Sequence, residues 1–288
     1  MMLVFGRTGQ VATELAHLRP DATFLGRESV DLTTPGACAD AIRAHSPEVV
    51  INAAAFTGVD KAEDEEHTAR LINAEAPAAM ARACVEMGVP LIYISTDYVF
   101  DGSGTAPWRP GDAPAPLGAY GRTKLEGEEA VRDAGGTHAI LRTAWVFSAH
   151  GGNFVKTMLR LSETKDALNI VDDQVGGPTP ADAIAAACLT IAERLAADPA
   201  LTGTYHFAGA PETSWKGFAE AIFARAYRQV AVTGIPTAEY PTPAARPLNS
   251  RLDCGSTEAA FGIAQPDWRS GLDRVLAKLG ALRTGDTE

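Results

Sequence analysis

Tyr120 and Lys124 stand four residues apart in the run Tyr120-Gly121-Arg122-Thr123-Lys124, and a second run, Ser95-Thr96-Asp97, offers hydroxyls and a carboxylate. In a helix, residues four apart share one face, about one turn from each other. A lysine ammonium beside a phenol favours the phenolate, so the spacing predicts a Tyr120 whose pKa falls towards the working pH. A proton donor works best with its pKa near ambient pH. Tyr120 is therefore the candidate acid–base group and Lys124 its activator. Thr96 is the hydroxyl that would polarise a carbonyl gaining negative charge as hydride arrives. The same Tyr/Lys pair on an ordinary solvated helix would do nothing, so the elements around it decide.

The chain enters a short apolar run, Leu3-Val4-Phe5, that stops at Gly6-Arg7-Thr8-Gly9-Gln10-Val11-Ala12 and continues into the helical pattern Thr13 to Leu18. Strand, glycine turn, helix is the context a dinucleotide fingerprint requires. Gly6 and Gly9 permit the tight turn and let a pyrophosphate approach the N–H groups at the helix start, and small Ala12 lets helix and strand pack closely. Thr23-Phe24-Leu25 reads as the second strand, followed by Gly26-Arg27-Glu28. An acid at that place accepts from a ribose 2′-hydroxyl; an arginine pairs with a 2′-phosphate. Arg27 comes first and Arg7 sits inside the glycine loop, two guanidiniums suited to a phosphate, so NADPH is favoured with NADH possible. Asp31, beside Leu32, either accepts from the adenine amino group or caps the helix from about Pro35.

The helix to about His45 leads into the strand Pro47 to Asn52. Its end, Asn52-Ala53-Ala54-Ala55, is small enough for a cofactor to lie across it, or simply packs tightly. Phe56-Thr57 precedes an acidic helix start, Val59 to Glu66. A helical pattern from Leu71 to Met87 ends at Gly88 and holds Asn73, a candidate polar link to the site. Pro90 to Ile94 is a buried strand with Ser95-Thr96-Asp97 at its carboxyl end, where ligands of open α/β sheets bind. A Pro/Gly-rich loop from Asp101 to Gly118 reads as a cover over the substrate. The Tyr/Lys helix runs from Tyr120 to Arg132, and Ala139 to Phe147 reads as one further strand.

This alternation implies an α/β fold, a Rossmann-type doubly wound parallel sheet. Residues 1–147 are expected to form the NAD(P)-binding domain, and 148–288 mainly a smaller C-terminal substrate-binding domain, with elements near 166–200 returning to the first. In that second half the pattern gives helices to Leu161, from Ala181 to Ala197 and from Trp215 to Gln229, and strands at Asn169-Ile170-Val171 and Thr204 to Phe207.

With 288 residues, 46% of them hydrophobic and 21% charged, the chain has the composition of a soluble globular protein. A net charge of −11 argues against a nucleic-acid or anionic-membrane surface. The four scattered cysteines form no C-x-x-C pair and the histidines no metal-ligand spacing, so neither a disulfide frame nor a metal is expected. No G-x-S-x-G elbow supports an esterase. With no signal peptide and no apolar run near the ~20 residues a membrane helix needs, a cytoplasmic protein is expected.

Gly6-x-x-Gly9, Asn52-Ala53-Ala54, Ser95 to Phe100 and Tyr120-Gly121-x-Thr123-Lys124 together resemble the extended short-chain dehydrogenase/reductases. Within them the chain is similar to the dTDP-4-dehydrorhamnose reductase family. The supporting runs are Val59 to Glu63, Ser95 to Asp101, Tyr120 to Glu126, Asn153 to Leu159, Asp173-Gln174 through Gly177-Pro178-Thr179, and Tyr240 to Leu252. The resemblance implies NAD(P)H-dependent reduction of the C4 ketone of dTDP-6-deoxy-L-lyxo-4-hexulose to dTDP-L-rhamnose. It makes Tyr120 the proton donor, Lys124 its activator and a nicotinamide-ribose contact, and Thr96 the polariser. Asp97 and Trp145 would touch the sugar; Arg246, Asn249 and Ser250 would line its nucleotide end. Gly9, Gln10 and Val11 would meet the pyrophosphate, Asp31 and Leu32 the adenine, and Ala55, Phe56 and Thr57 the ribose and nicotinamide.

Two positions depart from the family pattern. Phe56 stands where close relatives carry a histidine, which removes a ribose hydrogen bond. Some relatives dimerise through a metal held by acids; Glu14 and Asp182 match, but Arg269 stands after Trp268 where an acid is needed, and a cation repels the ion. A monomer or weak homodimer without metal is expected. A sugar-nucleotide dehydratase or epimerase is the nearest competing reading, but a dehydratase pattern puts Glu after Thr-Asp, and here that residue is Tyr98. A non-catalytic nucleotide-binding subunit would have lost Tyr120, Lys124 or Thr96, and all three are present.

Overall fold

The computed structural model describes residues 1–282. β1 (Met2–Phe5) leads into α1 (Gln10–Leu18), β2 (Thr23–Leu25), α2 (Pro35–His45) and β3 (Val49–Asn52). Two short helices, α3 (Val59–Asp64) and α4 (Glu66–Arg70), pass through a π-helical turn, Leu71–Glu75, into α5 (Ala76–Met87). β4 (Leu91–Thr96), α6 (Ala119–Asp133) and β5 (His138–Thr143) follow. Then come β6 (Val146–Phe147), α7 (Phe154–Leu161), β7 (Ala167–Val171), β8 (Val175–Gly176), β9 (Thr179–Pro180), α8 (Ala181–Ala197) and β10 (Gly203–His206). The last elements are β11 (Thr213–Ser214), α9 (Trp215–Arg225), β12 (Ala231–Ile235), β13 (Asn249–Ser250), α10 (Gly255–Phe261) and α11 (Trp268–Lys278).

The main sheet has the order β10-β5-β4-β3-β1-β2, and every neighbouring pair is parallel. Its central strands are buried on both faces, which is why they read as unbroken apolar runs. Alternate residues feed two layers. Val4, Ile51, Ile92 and Leu141 pack under α1 and α8; Leu3, Phe5, Val50, Tyr93 and Ile140 pack under α2 and α5. The chain leaves β1 towards β2 and returns to β3 on the opposite side, so the switch point lies between β1 and β3. Ligands of doubly wound sheets bind at such a point. The expected Rossmann-type architecture is present.

The second half departs from the expected pattern in three ways. Ala139 to Phe147 is not one strand: Trp145 takes a left-handed φ of 49°, which breaks the run into β5 and β6. β6 then pairs with β9. Of the elements expected to return to the sheet, α8 does so, but β7 pairs with β12 in a separate two-stranded sheet. The strand that joins the main sheet is β10, parallel to β5. α9 stops at Arg225, short of Gln229. A separate apolar cluster of Phe147, Val155, Met158, Phe218, Ile222, Trp268 and Leu272 holds α7, α9 and α11 together.

Candidate active site

The turn after β1 presses against the end of β3. Gly6 has φ +114°, and a Cβ there would meet the backbone carbon and oxygen of Ala53 at 3.2 Å. Only glycine fits that conformation and that gap. Ala12 is fully buried beneath it, as its small size predicts. Gly9 precedes α1 with no side-chain cap, leaving the first N–H groups of the helix for a ligand. Gln10 has a second task. Its Oε1 accepts from Asn153 Nδ2 at 2.9 Å and from Ser148 Oγ at 3.1 Å, tying the turn to the start of α7.

One cleft of about 940 Å³ opens at this end of the sheet. It is lined by Gly6, Arg7, Gly9, Gln10, Val11, Arg27, Asp31, Leu32, Ala55, Phe56, Thr57, Thr96, Asp97, Tyr120, Lys124 and Trp145. These residues come from six separate stretches of sequence and were all named from sequence. Arg246, Asn249 and Ser250 are not among the lining residues. Asn249 is buried and its Nδ2 donates to the carbonyls of Ala106 and Ser103 at 2.8 and 3.3 Å, so it holds the Pro-rich loop. That loop lines none of the cleft; Trp108 stacks on Phe100 and bonds Arg251 instead. Arg246 is paired with Asp60 at 2.7 Å.

Tyr120, Thr96 and Lys124 converge at the end of β4, with Thr96 level with Thr143 of β5. The predicted direction of the Tyr120 pKa is overturned. Burial raises the phenol to about 12, opposed by a hydrogen bond with Thr96. Lys124 is itself pushed down to about 7 by burial, opposed by the charge of Glu128. Both groups are enclosed, and loss of water from the charged form is the largest cause for each. The lysine Nζ donates to the Ile94 carbonyl oxygen at 2.8 Å and lies 3.9 Å from the centre of the Tyr93 ring. Asp97 is raised to about 6 by burial, with the hydroxyls of Ser250 and Thr96 pulling the other way.

Asn73 proves to be the polar link the sequence proposed. Its Oδ1 accepts from Phe56 N at 2.8 Å, and its Nδ2 donates to Phe56 O and Thr123 Oγ1 at 3.1 and 3.2 Å. The π-helical turn around it turns the Asn73 carbonyl outward to accept from the Tyr93 hydroxyl at 2.8 Å. Gly127 of α6 passes so close to that carbonyl that no side chain fits.

At the far end of the cleft Arg7 and Glu28 form an ion pair at 2.9 Å, while Arg27 lines the wall beside them. Asp31 does not cap α2. Its Oδ1 accepts from Thr33 N at 2.9 Å, and Thr34 stands at the helix start without a side-chain bond. Trp145 stacks on Trp215 at 3.7 Å between ring centres. Sequence reading missed Thr143, Tyr98, Gly151 and Gly152 in the lining. Thr143 was findable, since it ends the strand beside β4. Among the described residues the buried atoms Asn52 Nδ2 and Thr143 Oγ1 have no hydrogen-bond partner, and both residues face the cleft. Uncapped N–H groups, two guanidiniums and free polar atoms fit a phosphorylated dinucleotide.

Away from the cleft, Glu14 lies within 3.5 Å of His17 and 3.4 Å of His150, and Lys278 Nζ stands 3.2 Å from both its oxygens. Asp182 is paired with Arg274 at 2.9 Å. Both acids weighed as metal ligands thus carry a protein cation.

A doubly wound sheet with a glycine turn at its switch point and a Tyr/Lys/Thr cluster at the neighbouring strand end defines a dinucleotide-dependent reductase of the short-chain type. Residues 1–281 match the family model for the RmlD substrate binding domain. A dTDP-4-dehydrorhamnose reductase of Sinorhizobium fredii is 46% identical over 285 residues, covering 96% of each chain. One of Escherichia coli is 41% identical over 292 residues, covering 96% of this chain and 97% of that one. Among solved structures, a dTDP-4-dehydrorhamnose reductase of Clostridium acetobutylicum superposes with a TM-score of 0.90 at 36% identity, covering 97% of this chain and 99% of that one. One of Bacillus anthracis, in complex with NADP, gives 0.89 at 33% identity, covering 96% and 98%. The chain belongs to the dTDP-4-dehydrorhamnose reductase family.

Proposed function

We propose that the chain reduces the C4 ketone of dTDP-6-deoxy-L-lyxo-4-hexulose to the hydroxyl of dTDP-L-rhamnose, using NADPH, with NADH accepted in its place. The observation that carries this reading is the convergence of Tyr120, Lys124 and Thr96 in the same cleft as the glycine turn. The relatives' names and the NADP held by the Bacillus anthracis structure support it.

When bound, the reduced nicotinamide supplies the hydride. The chain supplies the proton and the setting. With its pKa near 12, Tyr120 is protonated at neutral pH, the state a donor must hold before the reaction. As the ketone oxygen gains charge, Thr96 Oγ1 steadies it by hydrogen bonding and Tyr120 hands over its proton. The Lys124 ammonium then stabilises the phenolate left behind. Gly6, Gly9, Gln10 and Val11 would hold the pyrophosphate, Arg7 and Arg27 the 2′-phosphate, Asp31 and Leu32 the adenine, and Ala55, Phe56 and Thr57 the ribose and nicotinamide. Asp97 and Trp145 would face the sugar. Arg246, Asn249 and Ser250, which lie outside the lining of the cleft, would serve its nucleotide end.

The division into a dinucleotide-binding part, 1–147, and a mainly substrate-binding part, 148–288, belongs to this proposal, as do a cytoplasmic location and a monomer or weak homodimer. No helix among the described residues is long and apolar enough to cross a membrane. The test follows loss of NADPH and NADH absorbance with the keto-sugar nucleotide made in situ. Failure to consume either cofactor overturns the reading.

A further inference from the structure

Glu128 lies one helical turn beyond Lys124 on α6 and exposes no surface. Four hydrogen bonds converge on its carboxylate. Ser95 Oγ donates to Oε1 at 2.6 Å and Arg142 Nε to the same oxygen at 2.9 Å. Arg142 Nη2 donates to Oε2 at 2.6 Å and Arg132 Nη1 at 3.2 Å. Arg142 is buried too, and its Nη1 donates to the Pro110 carbonyl at 3.3 Å, at the edge of the Pro-rich loop. A buried ion pair is a poor way to gain stability, because well-packed apolar side chains do as well. The arrangement therefore calls for another account, and its position supplies one.

Ser95 stands between Ile94, whose carbonyl accepts from Lys124, and Thr96, whose hydroxyl faces the cleft. A carboxylate that grips Ser95 fixes both neighbours at once. We propose that Glu128 is a positioning residue of the reductase site: through Ser95 it holds the end of β4 against α6, and its negative charge favours the ammonium form of Lys124 against the pull of burial. This rests on the reductase reading above.

The other charged and titratable groups near Lys124 leave that task to Glu128. From β4 comes Tyr93, under the ammonium, and from just past its end Asp97; from α6 comes Tyr120. The two tyrosines hold their protons, with burial pushing Tyr93 up and Tyr120 to about 12. Asp97, pushed up to about 6, is charged at neutral pH and its Oδ1 accepts from Thr96, but the charge that opposes burial at Lys124 is that of Glu128. On β5 and α6, Arg142 and Arg132 lie beyond the Glu128 carboxylate and are bonded to it. His206 of β10, 3.4 Å from Arg142, is lowered to about 3 by burial and adds no charge at neutral pH. Lys124 feels burial most and Glu128 against it.

The test uses the full chain and three variants. Glu128→Gln keeps the shape and an oxygen for Ser95 but removes the charge. Glu128→Gln combined with Arg142→Met also removes the stranded guanidinium, so it is expected to fold where the single variant does not. Ser95→Ala removes the grip and keeps the charge. Two readouts are taken: the pH profile of kcat with NADPH, and NMR titration of the lysine Cε signals. The proposal expects the charge-free variants to lose roughly threefold or more in kcat at pH 8, with the alkaline limb and the Lys124 midpoint moved down by about half a unit or more. KM for NADPH should stay within about twofold, because Glu128 lies outside the cleft. Ser95→Ala should lower kcat without moving either midpoint. If the double variant folds and keeps the wild-type limb and midpoint, Glu128 only pairs with Arg142 and the proposal fails. If the wild type consumes no NADPH, the reductase reading fails, while the NMR midpoints still decide whether Glu128 governs Lys124.

Discussion

Lys124 donates to the carbonyl oxygen of Ile94 at 2.8 Å from a position with almost no solvent contact. The bond places the ammonium at the strand end but does not repay its loss of water, which lowers its pKa from 10.5 to about 7. A lysine whose folded pKa lies below its unfolded one costs stability. Between pH 7 and 10.5 the unfolded chain binds more protons, so this group makes stability rise with pH across that window. Below it the cost is on the order of 5 kcal/mol, part of which is returned by the Ile94 bond. Lys124→Met should therefore lose about 10²–10⁴-fold in kcat yet unfold at an equal or higher temperature near pH 7. Its advantage over wild type should shrink as pH rises to about 10. Thermal unfolding at stepped pH checks this; an advantage that grows with pH contradicts it.

Tyr120 lies in the cleft with its ring edge against Tyr98, 5.6 Å between centres. Tyr120→Phe keeps that packing and removes only the hydroxyl. We expect kcat to fall about 10²–10⁴-fold, the usual worth of a placed proton donor. NADPH affinity, read by fluorescence titration, should change by less than about threefold, since phosphate and adenine contacts carry most of it. Full turnover in the variant would remove Tyr120 from its role.

The ion pair between Arg7 and Glu28 bears on cofactor choice. Both side chains are well exposed, so the pair adds little to stability. Its effect is on binding, because a 2′-phosphate must compete with the Glu28 carboxylate for Arg7. Glu28→Gln should lower KM for NADPH roughly three- to tenfold and leave NADH nearly unchanged. Arg27→Ala should weaken NADPH more than NADH. Steady-state kinetics with both cofactors decide, and equal changes for the two would remove the phosphate argument.

The parts of the site legible in the sequence are those set by local rules. Gly6 needs a positive φ next to Ala53, and that need appears as a glycine after an apolar run. Tyr120 and Lys124 share a helix face by spacing alone. Thr96 ends a strand of a parallel sheet, where ligands lie. What escaped depends on burial and distant partners. The direction of the Tyr120 shift follows from enclosure, which spacing does not report. Trp145 adopts a left-handed backbone that its residue type gives no reason to expect, so β5 and β6 read as one strand. Asn249 turns to carbonyls about 140 residues earlier in the chain, at Ser103 and Ala106. Glu128 looks like any helix-surface acid until Arg142 arrives from β5.

Asn73 offers the sharpest link between a buried side chain and the cleft. Its amide closes a two-point clamp on the backbone of Phe56, and Phe56 and Thr57 form the cleft wall. Asn73→Ala would leave the Phe56 N–H and carbonyl without partners and open space beside Thr123. Phe56 is half-buried, so each group thus stranded costs towards the lower end of about 1–3 kcal/mol, and in a chain of this size that lowers the unfolding midpoint by roughly 2–4 °C per kcal/mol. The freed wall should also raise KM for NADPH about tenfold while kcat at saturation falls less, because Tyr120, Lys124 and Thr96 keep their own supports. Asn73→Asp retains the acceptor for Phe56 N but sets a buried carboxylate oxygen against the Phe56 carbonyl, so it should cost at least as much stability as Asn73→Ala. Thermal unfolding and NADPH saturation curves for the pair of variants check the order; an Asn73→Ala enzyme with unchanged KM would mean that the clamp serves the fold alone.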